Sequence, residues 1–439
     1  MAPHPELVII RPEPDWLALK AIARLLELGV HFNFGEGYAL PRRITPEMVS
    51  ARVILAPAGC SDLAPPGVRL IRFSDADWGN DTKIERLPVI MGLQINNPDM
   101  WKRLDSLSPK ERIVPAIRRI HSERITRWSD VERYHLECLL LSEEIGEKPF
   151  GESETVRFVE RVLSLWPERG SSCDEVAVTY PLLQFAHITD APLLLERCRR
   201  LIDDFLANAS LFRGVFSNFT SSREAGALRS EIAFQVCPAL VRLSRLTNES
   251  RYEQIALEQI LRIDEALADQ DTGLWYLGTG ASGRTPSLWA RGCAFQLRAL
   301  VDLITDGSET IRLRLLPLLQ RASRSLVEFQ NQEGALFQVV NEPFTRSEIS
   351  ATAWMTAALS KGIRLGLIGS EFQKSVEAGW TFTSRRMWDG LCTSICGAIT
   401  VSFDPHYYRS RIFLGPSYGH FALLAALEYQ LLDRTRSSA

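Results

Sequence analysis

Two carboxylates and one arginine are the residues whose types and placement could do chemistry. Asp174, in Cys173-Asp-Glu-Val176, precedes an apolar helical stretch, and Glu231 stands near the start of the next comparable stretch. Acids carried by neighbouring helix ends can share one opening, where burial or mutual repulsion keeps one of them protonated near neutral pH as a general acid. In Ser287-Leu-Trp-Ala-Arg-Gly-Cys-Ala-Phe295 an indole, a guanidinium and a phenyl ring fall within seven residues. Arg291 and Phe295 are four apart and share a helix face, which offers a fork for a carboxylate beside a flat apolar surface. That pairing suits an acidic sugar. Packing accounts for the same letters differently: Phe295 as core beside a solvated Arg291, Asp174 as a helix cap, and Glu231 on a solvated face with Gln235, Pro238 and Arg242.

Other chemistries lack their residues. Gly278-Thr-Gly-Ala-Ser-Gly283 spells G-x-G-x-x-G, but Thr285-Pro286 follows it and the surroundings are helical rather than a βαβ frame. A flexible loop lining an opening is the expectation there. No G-x-S-x-G or H-E-x-x-H occurs, and the histidines (4, 31, 121, 135, 187, 406 and 420) show no ligand spacing. Cys392 and Cys396, with His406 the nearest histidine, are too few for a zinc site. A net charge of −3 without a Lys/Arg run argues against a nucleic-acid partner. The eight cysteines are scattered through mostly apolar helical text, as reduced buried thiols would be. No apolar run approaches the roughly 20 residues of a membrane helix, and the start Met1-Ala-Pro-His-Pro-Glu6 lacks a signal-peptide pattern. A cytoplasmic protein without a membrane partner is expected.

The elements that must position these side chains fall into two textures. Within residues 1–105, Leu7–Ile10, Val53–Ala56 and Val68–Ile71 are short apolar runs, and Asp15–Gly29 reads as an amphipathic helix. That alternation predicts a small α/β module with a partly parallel sheet, assigned a docking role or one in forming a homo-oligomer. Residues 106–439 are dominated by helices. Four glycines, each followed by apolar or aromatic residues, recur at about sixty-residue intervals: Gly214-Val-Phe216, Gly273-Leu-Trp-Tyr276, Gly334-Ala-Leu-Phe337 and Gly390-Leu-Cys392. Ile188-Thr-Asp190, Leu246-Thr-Asn248 and Ile304-Thr-Asp306 recur as well and read as cap-type signals for helix starts. A period of that length means stacked helical hairpins, on the order of five or six of them. Six that close make an (α/α)6 toroid, in which inner-helix ends and glycine-aromatic loops converge on one mouth.

At these residues the chain resembles glycoside hydrolase family 105 and the neighbouring family 88, the unsaturated rhamnogalacturonyl and glucuronyl hydrolases. Trp289-Ala-Arg-Gly292 is similar to their W-A-R-G-N-G-W signature and Thr272-Gly-Leu-Trp-Tyr276 to the loop before it. Glu348-Ile-Ser350 resembles their E-x-S, and Tyr418-Gly-His-Phe421 their C-terminal glycine motif. The resemblance spans residues 120 to 436 and implies the (α/α)6 barrel. It further implies an enzyme that removes a 4,5-unsaturated uronic acid from the non-reducing end of an acidic oligosaccharide by hydration, without metal or organic cofactor. One carboxyl group protonates C4 of the enol ether and then helps water attack C5; the hemiketal opens and expels the remaining sugar.

By the same resemblance, Glu231 falls on the general acid/base and Asp174 on a second aspartate. Arg291 falls on the arginine that contacts substrate and Phe295 on a tryptophan that stacks on sugar. Trp289, Trp275, Asn218, Glu348 and His420 lie in the remaining substrate-side motifs. The chain departs from the pattern in Glu for Asp at 231, Cys293-Ala-Phe295 for N-G-W, Gly214-Val-Phe-Ser-Asn218 for G-F-W-H, Leu277 where a histidine is usual, and Arg229 for an aromatic beside the acid. A glycosidase acting on a saturated uronide, and a non-catalytic carbohydrate-binding or scaffold protein, are the rival outcomes on the same barrel.

Overall fold

The computed structural model describes residues 7–9, 53–57 and 69–73. From residue 106 onward it describes all but 123–127, 147–151, 218–226, 344, 346, 389–390, 393–394, 397–398, 400, 410–412, 415–418 and 438–439. Two compact units result: Met1–Leu107 with Arg385–Gly397 and Ile412–Tyr418, and Ser108–Ser384 with Ala398–Arg411 and Gly419–Ala439. In the first unit the three apolar runs are strands β1 (Leu7–Ile9), β2 (Val53–Pro57) and β3 (Arg69–Phe73), paired in parallel in that order. The helix expected over Asp15–Gly29 lies outside the described residues.

The second unit is the (α/α)6 toroid. Outer helices α1 (Pro109–Ser122), α3 (Glu152–Leu163), α5 (Pro192–Asn208), α7 (Ser250–Leu267), α9 (Glu309–Glu328) and α11 (Gln373–Ser384) alternate with inner ones. The inner helices are α2 (Asp130–Ile145), α4 (Cys173–Ile188), α6 (Ile232–Thr247), α8 (Ala290–Asp306), α10 (Ile349–Arg364) and α13 (Gly419–Ser437), with a short helix α12 (Pro405–Arg409) preceding the last. Each inner helix packs on the next, and α13 packs back on α2, which closes the ring. Covered on every side, the inner helices bury nearly their whole circumference, polar positions included: Arg291, Gln296, Arg298 and Asp302 of α8 are all buried.

The recurring glycines have a backbone cause. Gly214, Gly273 and Gly334 hold φ of 79, 69 and 86°, the left-handed region that a side chain disfavours; Gly390 lies outside the described residues. These glycines sit in the long connections that run from an outer helix to the next inner one. The opposite connections are short, so the long loops gather where the inner helices begin.

The Thr-Asp and Thr-Asn signals prove to be helix ends rather than starts. Thr189, Thr247 and Thr305 return hydroxyl hydrogen bonds of 2.7, 2.8 and 2.7 Å to carbonyls four residues back. Asp190 and Asn248 then turn the chain at φ 48 and 57°. Their polar side chains tolerate that conformation, which is why they look like caps of the following helix. The G-x-G-x-x-G stretch is also not a flexible loop: β7 (Gly278–Gly280) pairs antiparallel with β8 (Gly283–Arg284) on one edge and with β6 (Leu228–Arg229) on the other.

A Cβ on Gly334 would overlap the Ala378 carbonyl in addition to forcing a strained φ. Gly334→Ala is expected to cost about 2 kcal/mol or more and to lower Tm in a thermal melt.

Candidate active site

Three of the singled-out residues stand at the starts of three successive inner helices, Asp174 on α4, Glu231 on α6 and Arg291 on α8. Helix α4 is capped by Ser172, whose hydroxyl accepts from the Glu175 amide at 3.2 Å while Glu175 Oε2 accepts from the Ser172 amide at 3.0 Å. Asp174 is therefore not the cap, and its carboxylate, half-buried, accepts a hydrogen bond from the Gln235 amide of α6. Gln235 is one turn below Glu231, so this bond ties the two acid-bearing helix starts together. The face carrying Glu231, Gln235 and Arg242 is buried rather than solvated.

Glu231 takes the N-cap position of α6 in a helical conformation (φ −59°, ψ −24°) and makes no side-chain cap bond. Its Oε2 is gripped instead by Arg229 Nη2 at 2.5 Å. The same nitrogen donates to the Ile399 carbonyl at 3.2 Å. Helix α8 lies directly alongside: Gly292 faces Ser230 so closely that a Cβ would come within 3.0 Å of its hydroxyl, and the Gln296 amide donates to the Ser230 carbonyl. Arg291 thereby starts next to the Glu231 turn.

Arg291 is fixed on its own side. Its Nη1 donates to Ser350 Oγ at 3.0 Å, and its guanidinium lies 4.2 Å over the Trp289 ring. The Ser350 hydroxyl lies 2.8 Å from both Glu348 oxygens. Those oxygens also cap α10 by accepting the Ser350 and Ala351 amides at 3.1 and 2.7 Å. Glu348, 1% exposed, thus acts on Arg291 through Ser350 and has no open face for a sugar.

The expected stacking surfaces are also enclosed. Trp275 is 1% exposed and donates its indole N–H to Asp264 of the outer helix α7 at 2.8 Å. Trp289 is likewise 1% exposed, beneath Arg291. Phe295 stacks on Phe234 at 5.0 Å with an interplanar angle of 13°, and meets Trp354 edge-on at 5.4 Å. All three are buried, Phe295 inside the ring of inner helices and the two tryptophans at its edge, so they serve as packing. Asn218 lies outside the described residues.

Tyr134, Phe234, Phe295, Trp354, His420 and Phe421 form one aromatic layer contributed by five inner helices. His420 is 3% exposed and stacks on Tyr134 at 4.9 Å. Burial, and then the His135 and Arg291 charges, hold its pKa well below the ordinary histidine value. Sequence inspection singled out neither Arg229 as a grip nor Gln235 as a tether. For Gln235 the four-residue offset from Glu231 was the available signal; for Arg229 it was an arginine two residues before the acid, where the family pattern has an aromatic. Among the described residues no three His, Cys, Asp or Glu side chains are grouped to hold a metal ion.

A closed toroid of six helix pairs with two carboxylates and an arginine at its rim has the architecture of the helical-barrel glycoside hydrolases. The model of Glycosyl Hydrolase Family 88 matches residues 167–432, more than half of the chain, and the chain belongs to that family. A structure of a possible member of family 105 from Salmonella enterica superposes with a TM-score of 0.66 at 16% identity, covering 78% of this chain and 96% of that one. The unsaturated glucuronyl hydrolase of Bacillus sp. GL1, responsible for the degradation of glycosaminoglycan, superposes with a TM-score of 0.53 at 14% identity over 75% and 96% of the two chains. At these identities the likeness shows the fold. A 24.9 kDa protein in the picA locus of Rhizobium radiobacter is 34% identical over 106 residues, 23% of this chain and 45% of that protein. A protein of Agrobacterium fabrum matches with the same figures. The chain thus spans less than half the length of these curated relatives.

The buried histidines set a pH response. Burial lowers the pKa of His135 from 6.5 to about 4. The unfolded chain therefore binds a proton that the fold refuses between those values, so this contribution to stability falls as pH falls from 6.5 to about 4. The loss approaches about 3 kcal/mol at the lower end. Calorimetric melts across that window are expected to show Tm declining, with a shallower slope in His135→Gln; an identical slope in the variant contradicts the assignment.

Proposed function

We propose that the rim of this toroid removes a 4,5-unsaturated uronic acid from the non-reducing end of an acidic oligosaccharide by hydrating its enol ether. The observation that supports the proposal is that the helix starts bearing Asp174, Glu231 and Arg291 are successive and contact one another through Gln235, Ser230 and Gly292. The arginine supplies a fork for the uronate carboxylate. With Oε2 against Arg229, Glu231 takes up a proton on Oε1 and delivers it to C4, and the cation that develops at C5 is shared with the ring oxygen. The same carboxylate then accepts a proton from water as that water bonds to C5. The product is a hemiketal, which opens to a keto sugar and releases the rest of the chain. Asp174, one helix away, orients Gln235 and adds negative charge beside the developing cation.

An acid that gives and then recovers one proton needs no redox partner, and the steps balance with water alone. The heparin-specific unsaturated glucuronyl hydrolase and the Bacillus enzyme, whose folds this chain shares, favour a uronide over a neutral sugar. We place the reaction in the cytoplasm, which the buried thiols of Cys138, Cys173, Cys198, Cys237 and Cys293 favour; among the described residues no helix is long and apolar enough to cross a membrane. An oligomeric role for residues 1–105 belongs to the same proposal.

Unsaturated uronyl disaccharides lose their enol-ether absorbance when hydrated, which gives a direct assay. Glu231→Gln is expected to lower kcat by about 10²- to 10⁴-fold with an unchanged circular dichroism spectrum. Full activity in that variant would remove Glu231 from the chemistry. Arg291→Met is expected to act mainly on KM, raising it about tenfold or more through the lost charge-assisted pair.

A further inference from the structure

The Glu231 carboxyl is the reactive group of the proposed hydration, yet its own helix does not hold it. A glutamate has one more rotatable bond than an aspartate, and an acid that must meet one carbon atom loses rate if its carboxyl wanders. At the N-cap position of α6 the usual anchor is an amide of the first turn, but Glu231 makes no such bond. Among the described residues the hydrogen-bond donor to its carboxyl is Arg229, at 2.5 Å.

Arg229 is itself placed from outside the helix. It is the last residue of β6 and pairs with Gly278 of β7. A Cβ on Gly278 would overlap the Leu228 carbonyl, so the two strands meet at a separation that only glycine allows. The Ser230 amide continues the pairing by donating to the Leu277 carbonyl at 2.8 Å. At its far end the guanidinium donates to the Ile399 carbonyl at 3.2 Å. The segment after Ile399 is pinned in turn, because Tyr408 packs fully buried, with its hydroxyl accepting from the Ser402 amide at 2.8 Å and its carbonyl accepting from Gln338. Both the Arg229 and Glu231 side chains are 12% exposed, so water competes little for the pair.

We propose that Arg229 is the positioning residue of this site: it holds Glu231 Oε2 against a fixed frame of strand and loop and so presents Oε1 to the substrate. The proposal rests on Glu231 being the proton donor. A planar guanidinium can serve Glu231 and the Ile399 carbonyl from one nitrogen while its plane stays fixed; an ammonium at the end of a lysine has the charge without that geometry.

The tests are steady-state kinetics of the full chain on an unsaturated uronyl disaccharide, and crystal structures of the wild type and Arg229→Met. Arg229→Met is expected to lower kcat about 10²-fold with KM changed only a few-fold, and Arg229→Lys to fall in between. In the variant crystal the Glu231 carboxyl is expected to leave its wild-type position. Loss expressed in KM alone would make Arg229 a substrate contact and overturn the proposal. So would an undisturbed Glu231 carboxyl in the variant crystal, or wild-type kcat in Arg229→Met while Glu231→Gln is inactive. Should Arg229→Met fail to fold, Arg229→Lys gives the same kinetic split. An active Glu231→Gln is a different failure, that of the hydration chemistry itself.

Discussion

Asp302 carries the constraint on which the ring depends. It is fully buried in α8 and pairs with Arg298 of the same helix at 3.0 Å, with Lys361 of α10 at 2.7 Å and with Arg133 of α2 at 3.6 Å. Burial opposes its charge, but Arg298, Lys361 and Arg133 outweigh that and hold its carboxyl below the usual carboxylate range. Arg298 reaches further to Glu428 of α13 at 3.3 Å and Glu137 of α2 at 3.6 Å. Helices α2 and α8 stand on opposite sides of the ring, so these pairs cross its axis. Removing one partner would leave the others charged and dry, a far larger penalty than losing a surface pair. The network thereby sets the relative height and rotation of the inner helices, and the rim inherits that geometry.

Three layers follow along the same helices. On α8, Arg291 belongs to the rim, Phe295 to the aromatic layer about 6 Å deeper, and Arg298 with Asp302 to the charge layer about 10 to 16 Å below the rim at 1.5 Å per residue. A lumen filled in this way keeps a ligand near the mouth. All six inner helices point their N-termini to that mouth, where the helix dipoles favour an anion, and the starts of α6 and α8 carry no side-chain cap bond. The backbone thus contributes positive potential at the mouth before any side chain is considered, and Arg291 adds to it.

The hairpin period was legible because glycine is costly to replace where φ is positive, and Gly214, Gly273 and Gly334 mark the same loop in three successive pairs. The polar caps misled because Thr-Asp and Thr-Asn serve helix ends as readily as helix starts; only the direction of the hydroxyl bond, to the carbonyl four residues back, separates the two. The carboxylates and Arg291 were legible as residues on neighbouring helix starts, but the contacts between those starts were not. What joins them is Gln235, a backbone carbonyl at Ser230 and a glycine at 292, none of which carries a signature. The aromatics were assigned to sugar because an indole beside an arginine suits one; in the fold Phe295 fills the lumen, Trp289 lies under Arg291 and Trp275 packs toward the outer helix α7.

The stretch from Trp289 to Phe295 therefore divides its labour by depth rather than by chemistry. Trp289 supports the Arg291 guanidinium from below, Gly292 lets α8 approach Ser230, and Phe295 seats the helix in the aromatic layer. Each affects the rim through packing, so changes at these positions shift Arg291 and the Glu231 turn together. A ring closes only if all six inner helices agree in height, and one bulky side chain in place of Gly292 would push α8 away from Ser230. The site is in that sense a property of the closed toroid, and its acids gain their placement from contacts two and three layers below them.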